Sequence, residues 1–291
     1  MNFFDLRQVG EMTSWVSRMK FRGTLNIGAN EVAAFYATYT FILLGLWIFK
    51  PKEIKFRPWL MALIACNFFL VLFLFSRGAY AAVLMSLVFV ALNRKPLLIV
   101  ALVFVVLFWQ LILPDEIVKR LTFTETEGTL DQSAALRLVY WEMTFNYFLE
   151  NPIFGIGFNV IQHLIGHDTH NIWLRTLAEQ GLLGAFFLVT IFMCAFRQGW
   201  FLYRHSRDNF FRGLGFGFCC CVLSMIVGNI FGDRWIHVQL NAFFWVFLGM
   251  VERGNFLLPL DEKNYRREGL HRESSRPIRK DWPTEDQVEM K

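Results

Sequence analysis

Seven apolar stretches, most of them close to the length that crosses a bilayer, partition this 291-residue chain at about 32–49, 59–75, 78–92, 96–113, 172–196, 211–231 and 235–251. A helix needs about 20 mostly apolar residues to span the hydrocarbon core. The stretch at 78–92 is short, and the one at 172–196 opens with Arg175, Glu179 and Gln180, so these two boundaries are the least regular. Composition agrees with a membrane class. Hydrophobic residues make up 55% and charged residues 18%, against roughly 25% charged in soluble domains. The 33 Phe and 10 Trp suit a lipid-facing surface and its interfaces. The expected fold is all-α and polytopic, with about seven transmembrane helices.

Lys and Arg in short loops set the orientation. Lys50, Lys52, Lys55 and Arg57 fill one loop, Arg94 and Lys95 a second, and Arg197, Arg204, Arg207 and Arg212 a third. If seven helices alternate, all three loops share one side, expected to be cytoplasmic. The opposite, periplasmic side holds the turns Ser76-Arg77-Gly78 and Gly232-Asp233-Arg234 and a long loop at 114–171. That loop carries eight acidic residues and only Lys119, Arg120 and Arg137 as basic ones. Residues 1–31 then lie outside, although they contain no cleavable signal peptide. This is expected either of a longer polypeptide with helices upstream or of N-out insertion. The tail at 252–291 balances nine basic against nine acidic residues. It is expected to be a disordered cytoplasmic segment, with weak attraction of 263–280 to anionic membrane lipid. The net charge of +5 reports topology, and no nucleic-acid-binding module is visible. All five cysteines (Cys66, Cys194, Cys219, Cys220, Cys221) lie in apolar segments and read as small buried hydrophobes, with no metal-ligand spacing.

The long loop is not low-complexity. Residues 133–150 have a helical pattern with Leu136, Val139, Tyr140, Met143, Tyr147 and Phe148 on one side, ended by Asn151-Pro152. An apolar glycine-bearing turn, Ile153-Phe154-Gly155-Ile156-Gly157-Phe158, follows. His163, His167 and His170 form H-x3-H-x2-H, but the intervening Gly166 and Asp168 oppose a regular helix, so no metal site is expected. The loop closes on His170-Asn171, then nine residues, then Gly181-Leu182-Leu183-Gly184.

This H-N-x9-G-x-x-G pattern resembles the signature shared by bacterial O-antigen ligases and O-oligosaccharyltransferases. Asn151-Pro152-Ile153-Phe154-Gly155-Ile156-Gly157 resembles the family's N-P-hydrophobic-x-G-hydrophobic-G run. Arg137 with Trp141 is similar to its R-x3-W element, and Ser76-Arg77-Gly78 to its S-R-G turn. Arg22-Gly23 followed by Asn30-Glu31 resembles its R-x-x-G…N-E approach to a helix. Five such pieces fall in the family's order over residues 22–190. The chain matches the C-terminal portion of family members with about twelve helices.

The resemblance implies an enzyme of the bacterial inner membrane with a periplasmic active face. It would transfer a glycan from an undecaprenyl-diphosphate-linked donor to an acceptor hydroxyl, most simply on lipid A-core in lipopolysaccharide biosynthesis. The chemistry needs cations for the diphosphate and a base for the hydroxyl, and no cofactor. A guanidinium is permanently charged and holds phosphate oxygens bidentately. Arg77 and Arg137 are assigned to that role as catalytic residues, with Arg22 and Arg234 as substrate-binding. His170 is assigned to the hydroxyl, because imidazole takes a proton near neutral pH, and Asn171 beside it to substrate. Blander readings stand next to these. Arg77 is also read as a snorkelling interfacial charge, Arg137 as a partner of Glu142, Arg22 as an interfacial charge and His170 as a structural hydrogen bonder. Asn171 is also read as a helix cap, and Asp233-Arg234 as a local ion pair, which is preferred. Gly181 and Gly184 are read as close-packing positions. A polymerase acting on a second lipid-linked glycan, a protein-glycosylating ligase and a non-catalytic transporter are the alternatives. The last fits least well, because ionisable residues gather at helix ends and no internal repeat is evident.

Overall fold

The computed structural model describes residues 28–51, 57–94 and 132–274, with isolated positions at 55, 99–100, 103, 125–126 and 129–130. The stretch expected to span at 96–113 therefore falls almost wholly outside the described residues, as do Arg22 and the rest of residues 1–27. The chain builds helices α1 (Ala29–Phe49), α2 (Arg57–Phe73) and α3 (Arg77–Arg94). A minimal antiparallel ladder, β1 (Glu125–Thr126) with β2 (Thr129–Leu130), precedes α4 (Gln132–Glu150). Then come the short α5 (Ile161–Ile165), the long α6 (Ile172–His205), α7 (Asn209–Gly228), a 3-10 turn (Arg234–Ile236) and α8 (Val238–Ser274). The chain is an all-α membrane protein. Among the described residues, α1, α6 and α7 are long and apolar enough to cross a bilayer, while α2 is apolar but only 17 residues long.

Helix α7 is the axis of the bundle, and its sequence explains why. Gly213, Gly215 and Gly217 alternate along it, and four-residue spacing puts Gly213 and Gly217 on one face. That face meets α1 backbone to backbone. A Cβ at Gly217 would sit 2.5 Å from the Phe41 carbonyl, and one at Gly45 2.3 Å from the Gly213 carbonyl. Gly215 faces α6 instead, where a Cβ would lie 2.6 Å from the Gly199 carbonyl. In a bilayer, where burial of apolar surface drives little helix association, small residues let backbones gain dispersion contacts. Hydroxyls cross the same seams: Ser224 donates to the Ala37 carbonyl at 3.0 Å and Ser86 to the Cys220 carbonyl at 2.8 Å. Cys219, Cys220 and Cys221 are buried there, as expected. Cys66 and Cys194 are exposed on α2 and α6, contrary to expectation, because their helices turn those positions to the membrane-facing side.

Two further differences from the sequence reading follow from packing. On α4 the apolar side read from sequence divides: Tyr140, Tyr147 and Phe148 are part-buried, whereas Leu136, Val139 and Met143 are exposed. The inward face is Tyr140, Trp141, the fully buried Thr144, Tyr147 and Phe148. In addition, α8 continues through Ser274, beyond residue 251 where the tail was expected to begin. Leu, Glu, Lys and Arg after residue 257 are good helix formers.

Candidate active site

Helix α6 breaks at Gly181, whose φ of 66° and ψ of −164° lie in a region essentially reserved for glycine. The break separates a short half-helix, 172–180, from the apolar span. It also explains the polar opening of the fifth apolar stretch, since Arg175 and Glu179 belong to the half-helix. The glycine-bearing turn after Pro152 inserts at the break. Ile156 and Gly157 amides donate to the Ala178 and Glu179 carbonyls at 2.9 Å, and Leu182 donates to the Pro152 carbonyl at 2.8 Å. Backbone groups freed by the kink are thereby satisfied, as a bilayer interior demands. A Cβ on Gly181 would lie 2.2 Å from the Ile153 carbonyl oxygen, and one on Gly155, at φ 73°, 2.4 Å from the Glu179 backbone. Gly184 is filled from across the kink by Gln180, whose Cβ would lie 2.2 Å from the added atom. The close packing of both glycines is therefore local to the break and does not join two neighbouring helices. Gly181→Ala is expected to lower stability by a few kcal/mol, from roughly 1–3 kcal/mol of backbone strain plus the steric overlap. Gly249→Ala, in open space, is the control, and equal melting of the two variants in detergent would refute this reading.

The half-helix carries a buried ionic network. Arg175 is 3% exposed. Its Nε donates to Glu179 Oε1 at 3.1 Å, its Nη1 to Asp233 Oδ2 at 3.4 Å, and its Nη2 to Asn159 Oδ1 at 2.7 Å. Asp168 Oδ1 stands 3.6 Å from Nη1, an ion pair too long for a hydrogen bond. Glu179 also accepts the Ile161 amide at the start of α5, at 3.3 Å. Thr169 Oγ1 lies 3.0 Å from both oxygens of Asp233. Burial pushes the Asp233 carboxyl up from its ordinary range, against the pull of Arg175 and the Thr169 hydroxyl. A cavity of about 350 Å³ adjoins this network, with Arg175, Glu179 and Asn241 against the apolar walls of Phe158, Phe187 and Trp235.

The sequence-assigned residues gather around the same elements. Trp141 donates its indole N–H to the Thr169 carbonyl at 2.9 Å, so the α4 face bearing Arg137 one turn earlier is tied to the His170 loop. His170 is exposed and left-handed, at φ 53°. A proton on His170 would pull the Asp233 carboxyl down, against burial. Asn171 is the helix cap: its Oδ1 accepts the Trp173 and Leu174 amides at 3.0 and 3.2 Å. Arg234 is buried, donates to the Gly228 carbonyl at 2.8 Å and reaches Ser76 Oγ at 3.5 Å. The preferred pairing of Asp233 with Arg234 does not form. The two side chains of this turn point to different partners, Asp233 to Arg175 and Arg234 to the Ser76-Arg77-Gly78 turn. A Cβ on Gly78 would stand 3.0 Å from Arg234 Nη2, which explains the glycine after Arg77. Burial, and then the charge of Arg137, push the Arg234 guanidinium down to about 10, while Glu31 opposes them. It stays protonated at neutral pH. Arg234 thus stands beside the turn that bears Arg77 and within the field of Arg137. Three of the four non-glycine residues with positive φ among the described residues, Phe75, Asn159 and His170, lie at the same end of the bundle, and strained backbone gathers at functional sites.

Residues 60–189 match the family model Wzy_C, described as O-antigen ligase. This region belongs to the O-antigen ligase family. No curated protein matches the chain. The O-antigen ligase region runs from α2 through the Gly181 break. It therefore includes Arg77, Arg137, His170 and the Arg175–Glu179 pair, while Asp233 and Arg234 are added by the fold. The match aligns this region with glycan-transferring ligases and polymerases, a family whose substrates in general are lipid-linked glycans and glycan acceptors.

Sequence reasoning about this O-antigen ligase region missed Arg175, Glu179, Asp168, Asn159 and Thr169 as parts of the site. One signal was present: ionisable residues inside an apolar span are costly and mark function by default. Arg175 and Glu179 stand there, four residues apart, where hydropathy alone makes them only an irregular helix boundary.

Proposed function

We propose that this protein transfers a glycan from a polyprenyl-diphosphate carrier to an acceptor hydroxyl at the periplasmic face of the inner membrane, with O-antigen ligation to lipid A-core as the reaction. The observation that carries the reading is Arg234 beside the turn that bears Arg77 and within the field of Arg137, with Trp141 tying the helix of Arg137 to the loop of His170. In the proposed step the acceptor oxygen attacks the anomeric carbon as its proton passes to His170. The bond from that carbon to the diphosphate oxygen breaks, and the configuration inverts. The polyprenyl diphosphate departs with its charge stabilised by Arg77 and Arg137. Arg234 holds the Ser76-Arg77-Gly78 turn and adds to the field. Asn171 caps α6 and so fixes where His170 stands. Arg22, outside the described residues, is proposed as a further contact to the carrier.

The test is glycan transfer to lipopolysaccharide in a ligase-deficient strain, read as a gel ladder. Arg77→Ala and Arg137→Ala are each expected to cut transfer about a hundredfold or more, the loss typical of one charge-stabilising donor. Because the guanidiniums supply the positive charge, EDTA is expected to leave the rate unchanged in membranes. A rate abolished by EDTA and restored by a divalent cation would overturn that part of the mechanism. Longer lipid-linked glycans with no transfer to lipid A-core would identify a polymerase instead.

A further inference from the structure

At the opposite end of the bundle from Arg234, the C-termini of α1 and α3 meet the N-terminus of α7. Two arginines share one aromatic ring there. The Arg94 guanidinium carbon lies 3.9 Å from the Phe49 ring centroid, and that of Arg212 lies 5.2 Å from it. Arg94 is also within 5.4 Å of the Tyr203 ring and 6.0 Å of the Phe216 ring. These three aromatics are buried. The Nε atoms of both arginines are buried as well, and among the described residues neither has a hydrogen-bond partner. No ion pair among the described residues joins either one to a carboxylate. The nearest acid on α7, Asp208, uses its Oδ1 to cap that helix, accepting the Phe210 and Phe211 amides at 2.6 and 3.3 Å.

Two like charges on one ring, both half-buried, repel, and an anion between them offsets that repulsion. Aromatic stacking holds the planar groups but leaves the buried Nε–H donors without a partner. The loops around this end carry Lys50, Lys52, Lys55, Arg57, Lys95, Arg204 and Arg207, and the loop charges assign it to the cytoplasmic side. We propose that Arg94 and Arg212, stacked on Phe49, form a binding site for a phosphate group at the cytoplasmic headgroup level. A guanidinium can hold phosphate oxygens bidentately, and two guanidiniums on one ring bring two such groups within reach of a single phosphate. The source is an anionic phospholipid headgroup or a soluble phosphate. The inference is independent of the glycan-transfer reading, because none of these residues lies in the proposed active site.

Native mass spectrometry of the detergent-purified chain tests it. The protein is offered phosphatidylglycerol or phosphatidylcholine, and a parallel thermal melt compares inorganic phosphate with chloride at equal ionic strength. Wild type is expected to retain phosphatidylglycerol about tenfold over phosphatidylcholine, a preference lost in Arg94→Gln/Arg212→Gln. Stabilisation by inorganic phosphate that disappears in the same variant, without a lipid preference, supports the site with soluble phosphate as its source. Arg212→Gln alone, which leaves Arg94 on its three rings, serves if the double variant does not fold. Glu53 lies in the adjoining loop, outside the described residues. If it already neutralised the pair, wild type would show neither a lipid preference nor stabilisation by phosphate, and that result overturns the proposal. Equal retention by wild type and variant overturns it too.

Discussion

Arg175→Met is expected to destabilise the protein by about 3–5 kcal/mol, the loss typical when one partner of a buried ion pair is removed. In a detergent melt this is a fall on the order of 10 °C. The cause is what remains. Glu179 and Asp233 are buried, both accept from Arg175, and among the described residues no second arginine or lysine ion-pairs with either. Methionine fills the volume but offers no donor, so two carboxylates lose their partner in a low-dielectric setting. The cost should shrink when the carboxylates go too. Arg175→Met combined with Glu179→Leu and Asp233→Asn is expected to melt higher than Arg175→Met alone, because the network is removed as a unit. An unchanged melt for Arg175→Met would show that water reaches the network freely. Activity is expected to fall with stability, because the network ties α5, the half-helix and the 229–237 turn together.

His170→Ala is expected to lower transfer roughly a hundred- to ten-thousand-fold, the range for loss of a general base, with little change in melting. The separation of the two readouts is the point of the experiment. His170 is exposed and left-handed. Its neighbours Thr169 and Asn171 carry the structural bonds, to Asp233 and to the α6 amides. Alanine at a left-handed position costs only about 1 kcal/mol. A variant that transfers glycan normally would remove His170 from the mechanism. One that melts like Arg175→Met would reassign it to structure.

Much of the architecture was legible as hydropathy because the bilayer makes hydropathy decisive. Asn151-Pro152 ended a helix where expected, and Asn171 capped one, because those are local steric and hydrogen-bonding effects. At Arg77, Arg137 and His170 motif and chemistry coincide, and these residues rest on that coincidence as proposed site residues. Three-dimensional pairing was not legible. Asp233 and Arg234 are adjacent in sequence, which suggested that they bind each other, yet one looks to α6 and the other to α3. Likewise, Leu136, Val139 and Met143 form a helical stripe as apolar as any core face. In a membrane protein, however, the side facing lipid is as apolar as the interior, so periodicity does not say which face is inward.

The glycine stripe of α7 has a consequence for how such a chain tolerates change. Gly213, Gly215 and Gly217 contribute nothing to phosphate or sugar, yet each is pressed against a neighbouring backbone on one of two sides. A single methyl there would wedge apart helices whose far ends hold the arginines in register. Around Leu182 and Phe186, by contrast, exposed apolar side chains accept many replacements of similar greasiness. Intolerance to variation is thus set in good part by helix packing, and it need not track participation in chemistry.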